Sequence, residues 1–386
     1  MQTLQKGPSP LPYLDYSVIK NAFDSGRFKV FSDYSELKRA DCVSICVPTP
    51  LRKTREPDLS FIVQATQKLK DHLREGQLIV LESTTYPGTT EELVKPILEE
   101  SGFVTGKDFF LAFSPERIDP GNKNYDLPNT PKVVGGMTSQ CLELAGLLYG
   151  KVCEKIVPVS SAAAAEMVKL LENTYRAVNI GLVNEIAVMA NRLQLDVWEI
   201  IEAASTKPFG FHKFYPGPGL GGHCIPVDPQ FLSWKLKTLN YHTRFIQLAE
   251  EVNSSMPFIV MERITEALNS HFKSVNGSKI LILGLSYKKD VGDLRESPAL
   301  EVWKLLAEKG AFLSYIDPFA QQFFFQEKVI YGMDVNSVPI SEFDCVVVLT
   351  DHTHLPYERY FQEAKLVVDT RNVTKQHRDK SKFFKL

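Results

Sequence analysis

A glycine-rich loop near residue 220 contains a single cysteine and is the segment of the sequence that most strongly suggests a chemical function. The segment Pro216-Gly-Pro-Gly-Leu-Gly-Gly-His-Cys-Ile-Pro-Val-Asp-Pro229 places Cys224 after four closely spaced glycines, with Asp228 four residues later. Glycines permit backbone conformations and close ligand approaches that side chains forbid. A cysteine delivered in this way can act as a nucleophile, with a carboxylate base nearby in the chain. The alternative is an inert cysteine that packs in the core, as free cysteines commonly do.

A lysine and an asparagine form the second signal. Lys169 and Asn173 are four residues apart in a helical pattern, so both side chains lie on one face of the helix. They stand near the edge of an apolar stripe, from which both side chains can reach into a cleft between domains rather than into open solvent. The alternative is a solvated pair on a helix surface.

Two polar segments that follow predicted strands form the third signal. Glu82-Ser-Thr-Thr-Tyr-Pro-Gly-Thr-Thr90 follows one strand, and Phe113-Ser-Pro-Glu-Arg117 follows the next. Open α/β sheets bind ligands beyond the carboxyl ends of their strands, so both segments are candidate ligand loops. The alternatives are local: Thr84 and Thr85 begin a helix as caps, and Glu116 pairs with the arginine beside it.

The elements that must position these residues follow from the alternation of short apolar runs with helix-like segments. Strands are predicted at residues 28–31, 41–47, 77–81, 109–113, 132–135 and 155–159. Apolar residues at steps of three and four predict one long amphipathic helix over residues 162–191. Its apolar stripe consists of Met167, Leu170, Leu171, Tyr175, Val178 and Leu182. Further helices are predicted over residues 197–204, 229–239 and 244–270.

The strand pattern restarts near residue 276, with strands predicted at residues 279–284, 344–350 and 365–369. The expected fold class is therefore α/β. We expect a first α/β domain over residues 1–159, a central helical domain with the cysteine loop over 160–275, and a second α/β domain over 276–386.

The composition excludes several classes of protein. The chain has 386 residues and a formal net charge of −2, so no whole-chain charge attracts nucleic acid or an anionic membrane. Its six cysteines form neither a disulfide framework nor a CxxC zinc pattern, and no metal site is expected. No apolar stretch approaches the roughly eighteen residues of a membrane span. We therefore expect a cytoplasmic protein without nucleic acid or membrane partners.

Eight segments occur in the order seen in one dehydrogenase family. They are Val47-Pro-Thr-Pro50, Glu82-Ser-Thr-Thr85, Phe113-Ser-Pro-Glu-Arg117, Lys169 with Asn173, Gly221-Gly-His-Cys-Ile-Pro-Val-Asp228, Gly284-Leu-Ser-Tyr-Lys-Lys-Asp290, Asp293-Leu-Arg-Glu-Ser297 and Asp369-Thr-Arg371. On these residues the chain resembles the UDP-glucose/GDP-mannose dehydrogenase family. The cysteine loop looks most like the branch that oxidises UDP-N-acetylglucosamine at C6.

The resemblance implies a function and a set of site residues. The implied reaction is the NAD-dependent oxidation of a UDP-N-acetylhexosamine at C6 to the uronic acid, through a cysteine thiohemiacetal and thioester. The implied catalytic residues are Cys224, Lys169, Asn173, Asp228, Glu116 and Thr84. Contacts to NAD are implied for Val47, Pro48, Thr49, Ser83, Thr84 and Arg295. Contacts to the UDP-sugar are implied for Lys169, Asn173, Tyr215, Gly221, Lys288 and Arg371.

The resemblance also implies two Rossmann-like domains joined by a long central helix, in a homodimer or larger homo-oligomer. We expect the first domain to lack its opening βαβ unit. No predicted strand leads into a Gly-x-Gly-x-x-Gly turn that opens a helix, and the segment Lys6-Gly-Pro-Ser-Pro10 normally follows that unit. Strand 28–31 would then have no neighbour. We therefore expect this chain alone to have a poorly folded first domain and little affinity for NAD.

Three other interpretations stay open at this point. The chain is a truncated, non-catalytic remnant that binds a UDP-sugar or dimerises, or it is a UDP-glucose 6-dehydrogenase. A third interpretation is a hydroxyacid dehydrogenase that performs one oxidation, although the cysteine loop and the second α/β domain count against it. The sequence does not distinguish glucosamine from galactosamine derivatives as substrates.

Overall fold

The chain divides into two compact units. The computed structural model describes residues 16–52, 54–119, 122, 124–377, 379 and 381–386, and the segment Lys6–Pro10 lies outside them. Unit 1 comprises Met1–Glu172 and Gln230–Leu239. Unit 2 comprises Asn173–Pro229 and Asn240–Leu386.

Unit 1 is built around a five-stranded sheet whose strands lie in chain order. Strands β1 to β5 are Cys42–Ile45, Leu78–Leu81, Phe110–Phe113, Lys132–Gly136 and Ile156–Val159. Neighbouring strands are parallel except β3 and β4, which are antiparallel. The helices are α1 (Tyr16–Asp24), α2 (Ser60–Lys70), α3 (Lys95–Glu99) and α4 (Ser139–Tyr149), with a 3₁₀ turn at Tyr34–Arg39 and a π-helical turn at Thr90–Val94. The five strands predicted from residue 41 onward are confirmed.

The core of unit 1 covers both faces of this sheet. All four residues of β2 are buried, as expected of a parallel strand with helices on either side. Ile62 and Leu69 of α2 pack against Ile79 and Leu81 on one face. On the other face α4 packs against Leu78 and Val80. The carboxyl ends of β1, β2 and β3 are thereby held at one edge of a rigid layer.

The strand predicted at residues 28–31 is wrong. These residues form neither a helix nor a strand, and Phe28 and Phe31 are 43% and 53% exposed. A strand requires a hydrogen-bonding neighbour, and the described part of the chain supplies none beside this segment. Apolar composition alone therefore gave a false strand.

Helices dominate the middle of the chain. They are α5 (Ala162–Arg192), α6 (Val197–Ser205), α7 (Asp228–Lys237) and α8 (Arg244–Ser270), and all four predicted helices are confirmed. Within the described residues, no helix is long and apolar enough to cross a bilayer.

The apolar stripe predicted for α5 is not its buried face. Leu170 is fully buried, but Leu171 and Leu182 are 58% and 53% exposed. The buried face carries small and polar residues, because Gly181 comes close enough to α8 for an added Cβ to lie 3.3 Å from Cα of Ala249. Helical periodicity reveals an apolar face, whereas close helix packing selects small residues.

Unit 2 contains a second five-stranded parallel sheet, with strand order β12-β11-β10-β6-β7. Its strands are β6 (Lys279–Leu283), β7 (Phe312–Ile316), β10 (Cys345–Val348), β11 (Val367–Asp369) and β12 (Phe383–Lys385). The hairpin β8 (Gln322–Phe325) and β9 (Lys328–Tyr331), helices α9 (Pro298–Glu308) and α10 (Tyr357–Glu363), and a 3₁₀ turn at Ile340–Glu342 complete it. The second α/β domain is confirmed, although β7, β12 and the hairpin were not predicted.

Candidate active site

Cys224 lies in the turn that leads into α7, and its side chain is exposed. Its carbonyl oxygen accepts hydrogen bonds from the N–H groups of Val227 at 3.1 Å and Asp228 at 2.8 Å. The cysteine therefore stands one helical turn before Asp228. Its sulfur lies 4.0 Å from Nδ1 of His223, whose pKa is lowered by burial and by the charge of Arg295. The thiol is accessible to a ligand on a hydrogen-bonded backbone turn.

Packing against other parts of unit 2 accounts for the glycines before Cys224. Gly222 has a φ of +96°, and a Cβ there would lie 2.7 Å from the ring of Tyr287. A Cβ on Gly221 would lie 2.7 Å from Cδ of Pro298. Larger residues would push the loop away from the segment that follows β6. A substrate contact at Gly221 stays a prediction.

Asn173 and Asp228 meet in unit 2. Nδ2 of Asn173 donates a hydrogen bond of 2.5 Å to Oδ2 of Asp228, and both side chains are buried. A hydrogen bond to a buried carboxylate holds it in one orientation. Lys169 stands one turn earlier on α5 and is half-buried. Of the two predicted helix residues, Asn173 is the buried one.

A buried acid that the sequence interpretation missed organises the segment carrying Lys288. Asp317 directly follows β7, and its carboxylate accepts four backbone and two side-chain hydrogen bonds. The donors are Leu285, Ser286, Phe319, Ala320 and His352. Burial raises the pKa of Asp317, but His352 and the backbone N–H groups outweigh burial and lower it to about 2. Lys288 therefore follows a backbone segment that an ionised carboxylate holds in place.

Arg371 and Arg295 differ in how their guanidinium groups are held. Nε of Arg371 donates to the carbonyl oxygen of Leu349 at 2.9 Å, and the side chain is half-buried. Arg295 is exposed and forms a two-pronged ion pair with Asp293, whose shortest bond is 2.6 Å. Arg371 is thus oriented before any ligand binds, whereas Arg295 would have to share its charge with Asp293.

Tyr215 is an exposed residue of unit 2 whose side chain contacts α6. Its hydroxyl donates to Glu202, which also receives a hydrogen bond of 3.2 Å from Nζ of Lys213. The ring lies 5.5 Å from that of Trp198. These contacts hold the tyrosine against α6, and its contact with substrate stays a prediction.

Ser83 ties together the loops after β1 and β2 in unit 1. Its hydroxyl accepts a hydrogen bond from the N–H of Val47 at 2.8 Å and donates to the carbonyl oxygen of Val47 at 2.9 Å. Thr49 is buried, Pro48 is exposed and Thr84 is half-buried. The residues predicted to contact NAD in this unit therefore lie in two adjoining loops.

The loop after β3 holds Glu116, and the local pairing considered for it is wrong. Arg117 pairs with Glu172 of α5 at 2.5 Å and donates to the carbonyl oxygen of Pro131 at 2.7 Å. Glu116 is exposed, and its Oε1 accepts a hydrogen bond of 2.5 Å from the N–H of Ile118. Its carboxylate is accessible to a ligand.

Comparison with known proteins decides the family. Models of the UDP-glucose/GDP-mannose dehydrogenase family match as an NAD binding domain over residues 1–153, a central domain over 163–255 and a UDP binding domain over 281–376. A UDP-N-acetyl-D-mannosamine dehydrogenase from Methanocaldococcus jannaschii is 34% identical over 370 residues, which make up 92% of this chain and 80% of that protein. The chain belongs to the UDP-glucose/GDP-mannose dehydrogenase family.

Other members of this family are similar over most of the chain. A UDP-N-acetyl-D-glucosamine 6-dehydrogenase from Salmonella typhi is 35% identical over 327 residues, covering 84% of this chain and 76% of that protein. A solved UDP-D-ManNAc dehydrogenase from Pyrococcus horikoshii has a TM-score of 0.89 at 31% identity, covering 100% of this chain and 90% of that one. The expected family, α/β fold and class of NAD-dependent UDP-sugar dehydrogenases are confirmed.

The described loops of unit 1 fit the NAD of this family. The inner part of these loops is held by hydrogen bonds between Ser83 and Val47 and by the buried Thr49. Pro48 and Thr84 remain accessible at the carboxyl ends of β1 and β2. The spacing Gly217-x-Gly-x-x-Gly222 does not form a dinucleotide turn, because it lies in a loop between α6 and α7 and its glycines pack on protein.

Proposed function

We propose that this chain oxidises a UDP-N-acetylhexosamine at C6 to the uronic acid, with NAD as the hydride acceptor in both oxidation steps. The observation that carries the proposal is the turn joining an exposed Cys224 to a buried Asp228 that is hydrogen-bonded by Asn173. A four-electron oxidation needs a nucleophile for the intermediate aldehyde, and a single oxidation does not.

The cysteine accounts for the second oxidation. Addition of Sγ of Cys224 to C6 of the aldehyde forms a carbon–sulfur bond and gives a thiohemiacetal, whose oxygen takes up a proton. Loss of hydride from C6 and of the hydroxyl proton converts it into a thioester. Attack of water on the thioester breaks the carbon–sulfur bond, releases the carboxylate and returns the thiolate. The sulfur is therefore regenerated in every turnover.

The other predicted catalytic residues supply the proton transfers and the charge in this proposal. Asp228 is the base for the attacking water in this proposal, because Asn173 orients its carboxylate one helical turn from the thiol. Glu116 is the alternative base. Lys169 provides positive charge for the oxyanions at C6, where a preorganised donor contributes about 3 kcal/mol. Thr84 orients the reacting hydroxyl.

The UDP moiety is assigned to unit 2. Lys288 and Arg371 are the proposed diphosphate contacts, since an ammonium acts as a point charge and a guanidinium can bond two oxygens. Arg371 is already oriented by the carbonyl oxygen of Leu349. Tyr215 and Gly221 complete the proposed sugar-nucleotide contacts, and Arg295 is the proposed contact of this unit with NAD.

A panel of UDP-sugars tests the substrate. Relatives are named for UDP-N-acetyl-D-glucosamine and for UDP-N-acetyl-D-mannosamine, and the cysteine loop favours the glucosamine derivative. We expect NADH formation with one of these sugars to exceed that with UDP-glucose. A preference for UDP-glucose contradicts the acetylhexosamine assignment, and no NADH with any sugar favours the non-catalytic interpretation.

Replacement of the nucleophile tests the mechanism. Cys224→Ser should lower net acid formation at least about a thousandfold, because a serine hydroxyl gives a far poorer nucleophile and leaving group. Cys42→Ser is the control, since Cys42 is also exposed but lies at the start of β1. Acid formation by Cys224→Ser at the wild-type rate would remove the covalent steps from the proposal.

We further propose that the chain forms a homodimer through α5. Tyr175, Leu182 and Met189 are spaced by seven residues on this helix and are 43%, 53% and 47% exposed. They form an apolar line about 21 Å long, since a helix rises 1.5 Å per residue. The same helix in a second copy supplies a matching line, as heptad spacing does in paired helices.

A further inference from the structure

Glu166 is a buried carboxylate in unit 1 that the reaction proposed above does not use. It lies in the first turns of α5 and is 1% exposed. A carboxylate at such a position requires hydrogen-bond donors, because burial strongly disfavours an unpaired charge. Its partners therefore indicate what it does.

The partners of Glu166 all belong to one turn. Oε2 accepts a hydrogen bond of 2.5 Å from the N–H of Gly88. Oε1 accepts hydrogen bonds from the N–H of Thr90 at 2.9 Å and from its hydroxyl at 2.7 Å. One side chain of α5 thus binds both ends of the Gly88–Thr90 segment.

That segment closes the loop that follows β2 and carries Ser83 and Thr84. Gly88 has a φ of +103°, and an added Cβ would lie 2.7 Å from Oε1 of Glu92. The hydroxyl of Thr85 donates a hydrogen bond to the hydroxyl of Thr89. The loop therefore has a defined internal structure, and Glu166 is its attachment to α5.

Glu166 also stands three residues before Lys169 on the same helix. Residues at this spacing are neighbours on a helix surface. A side chain that fixes the loop of Thr84 is consequently one turn away from a proposed catalytic cation. The contact sets the position of the loop relative to the part of α5 that bears Lys169.

The electrostatic surroundings match a charge held by hydrogen bonds rather than by an ion pair. Burial, with a smaller contribution from the charge of Glu92, raises the pKa of Glu166 to about 7 despite the hydrogen-bond donors. Lys235 is engaged by Glu92, with both bonds at 2.7 Å, and lies over the ring of Tyr86. The hydrogen bonds from Gly88 and Thr90, rather than an ion pair, therefore hold the Glu166 carboxylate.

We propose that Glu166 is a positioning residue that holds the Ser83–Thr90 loop in place against α5, so that Thr84 and Lys169 act on the same substrate group. This inference rests on the proposed function. It adds a residue that touches neither substrate nor NAD and acts through the loop.

Glu166→Gln is the principal test. The amide keeps the size of the side chain but places an N–H group against a backbone N–H of Gly88 or Thr90, so one bond is replaced by a repulsive contact. Glu91→Gln is the matched control, since Glu91 lies in the same π-helical turn as Thr90 but is exposed. Thr90→Val removes only the hydroxyl bond and serves if the first variant does not fold.

Two measurements are made on folded full-length protein, hydrogen–deuterium exchange and steady-state kinetics at 25 °C. We expect Glu166→Gln to exchange faster at residues 83–94 and to lower kcat between about tenfold and a hundredfold, as misplacement of a reacting group does. The KM for the UDP-sugar should stay within about twofold, because the UDP contacts are assigned to Lys288 and Arg371. Thr90→Val should also speed exchange at these residues and lower kcat, but by less than Glu166→Gln.

The outcomes separate this inference from the proposed function. Unchanged exchange in Glu166→Gln, or faster exchange with an unchanged kcat, overturns the positioning role. A wild-type chain that forms no NADH overturns the proposed function and with it the catalytic part of the inference. In that case the exchange data still decide whether Glu166 attaches the loop.

Discussion

The buried carboxylate of Asp317 gives the sharpest stability prediction. Each of its oxygens accepts two backbone hydrogen bonds, at distances from 2.9 to 3.1 Å. Asp317→Asn keeps the shape of the side chain but converts one oxygen into a donor. Whichever way the amide turns, two backbone N–H groups lose their acceptor. The side nearer Phe319 is the less costly one, because Phe319 is 42% exposed and water can reach it.

Two routes to the magnitude agree. An unsatisfied buried N–H costs about 1–3 kcal/mol, so losing the acceptor of two N–H groups costs about 2–6 kcal/mol. Because water reaches the Phe319 side, the cost should lie near the lower end of that range, at about 2–3 kcal/mol. The lowering of the pKa of Asp317 from 3.8 to about 2 corresponds to about 2 kcal/mol of stabilisation when the group is ionised. We therefore expect Asp317→Asn to lower the free energy of unfolding of unit 2 by about 2–3 kcal/mol.

The pH dependence has a defined sign. The pKa of Asp317 is lower in the folded than in the unfolded chain, so its stabilisation is complete above about pH 4 and is lost as the pH falls through about 2. The difference between the wild-type and variant unfolding free energies should therefore be constant from pH 8 to pH 5 and shrink at lower pH.

Urea unfolding of the full chain at several pH values measures this difference. Asp334→Asn is the control, because Asp334 also accepts two backbone hydrogen bonds of 2.9 Å in unit 2 but is exposed. We expect the control to change stability by less than about 1 kcal/mol. If Asp317→Asn were no more destabilising than Asp334→Asn, the reasoning from buried donors would be refuted.

Two further predictions concern the cysteine loop and the assembly. Gly222→Ala should lower the stability and should lower NADH formation at least about tenfold, because its Cβ would meet the ring of Tyr287 at 2.7 Å. The control is Gly277→Ala, since Gly277 has a similar positive φ but open space around it, and this variant should lower only the stability. Calorimetry measures the stability, and an activity assay measures NADH formation. Leu182→Glu should raise the dimer dissociation constant at least tenfold in analytical ultracentrifugation, while Leu147→Glu, at a leucine of similar exposure outside α5, should not. Equal behaviour within either pair would count against the corresponding contact.

The sequence predicted the elements whose burial is complete. Strands such as Leu78–Leu81 are apolar at every position and bounded by polar residues, which leaves little ambiguity. The segment 28–31 is apolar at three of its four positions but has no described neighbour, and strand pairing is a tertiary property that local composition does not contain. The short strand Phe383–Lys385 was missed because a run of three half-buried residues is too short to indicate a strand without its partner β11.

The candidate site was predictable where chemistry demands a residue type. A thiol after a glycine-rich loop and a lysine spaced four residues from an asparagine are recognisable from spacing alone. The buried acids that hold the loop of Thr84 and the segment before Lys288 were not predictable, because Glu166 and Asp317 resemble ordinary acidic residues until their donors are known. A weak signal existed in both cases: Glu166 is spaced four residues from the buried Leu170, and Asp317 directly follows an apolar strand.

The assignment of Gln230–Leu239 to unit 1 has a consequence for synthesis on the ribosome. The ring of Trp234 lies 5.1 Å from that of Tyr86, and Lys235 pairs with Glu92, 143 residues earlier in the chain. The nascent first unit therefore stays incomplete until residue 239 has left the exit tunnel, when residues 173–229 of the other unit are already outside. Unit 1 can therefore be completed only after residues 173–229 of unit 2 have been made, and before residues 240–386 of unit 2 are available. A gene fragment ending at residue 159 or 172 would encode an unfinished domain.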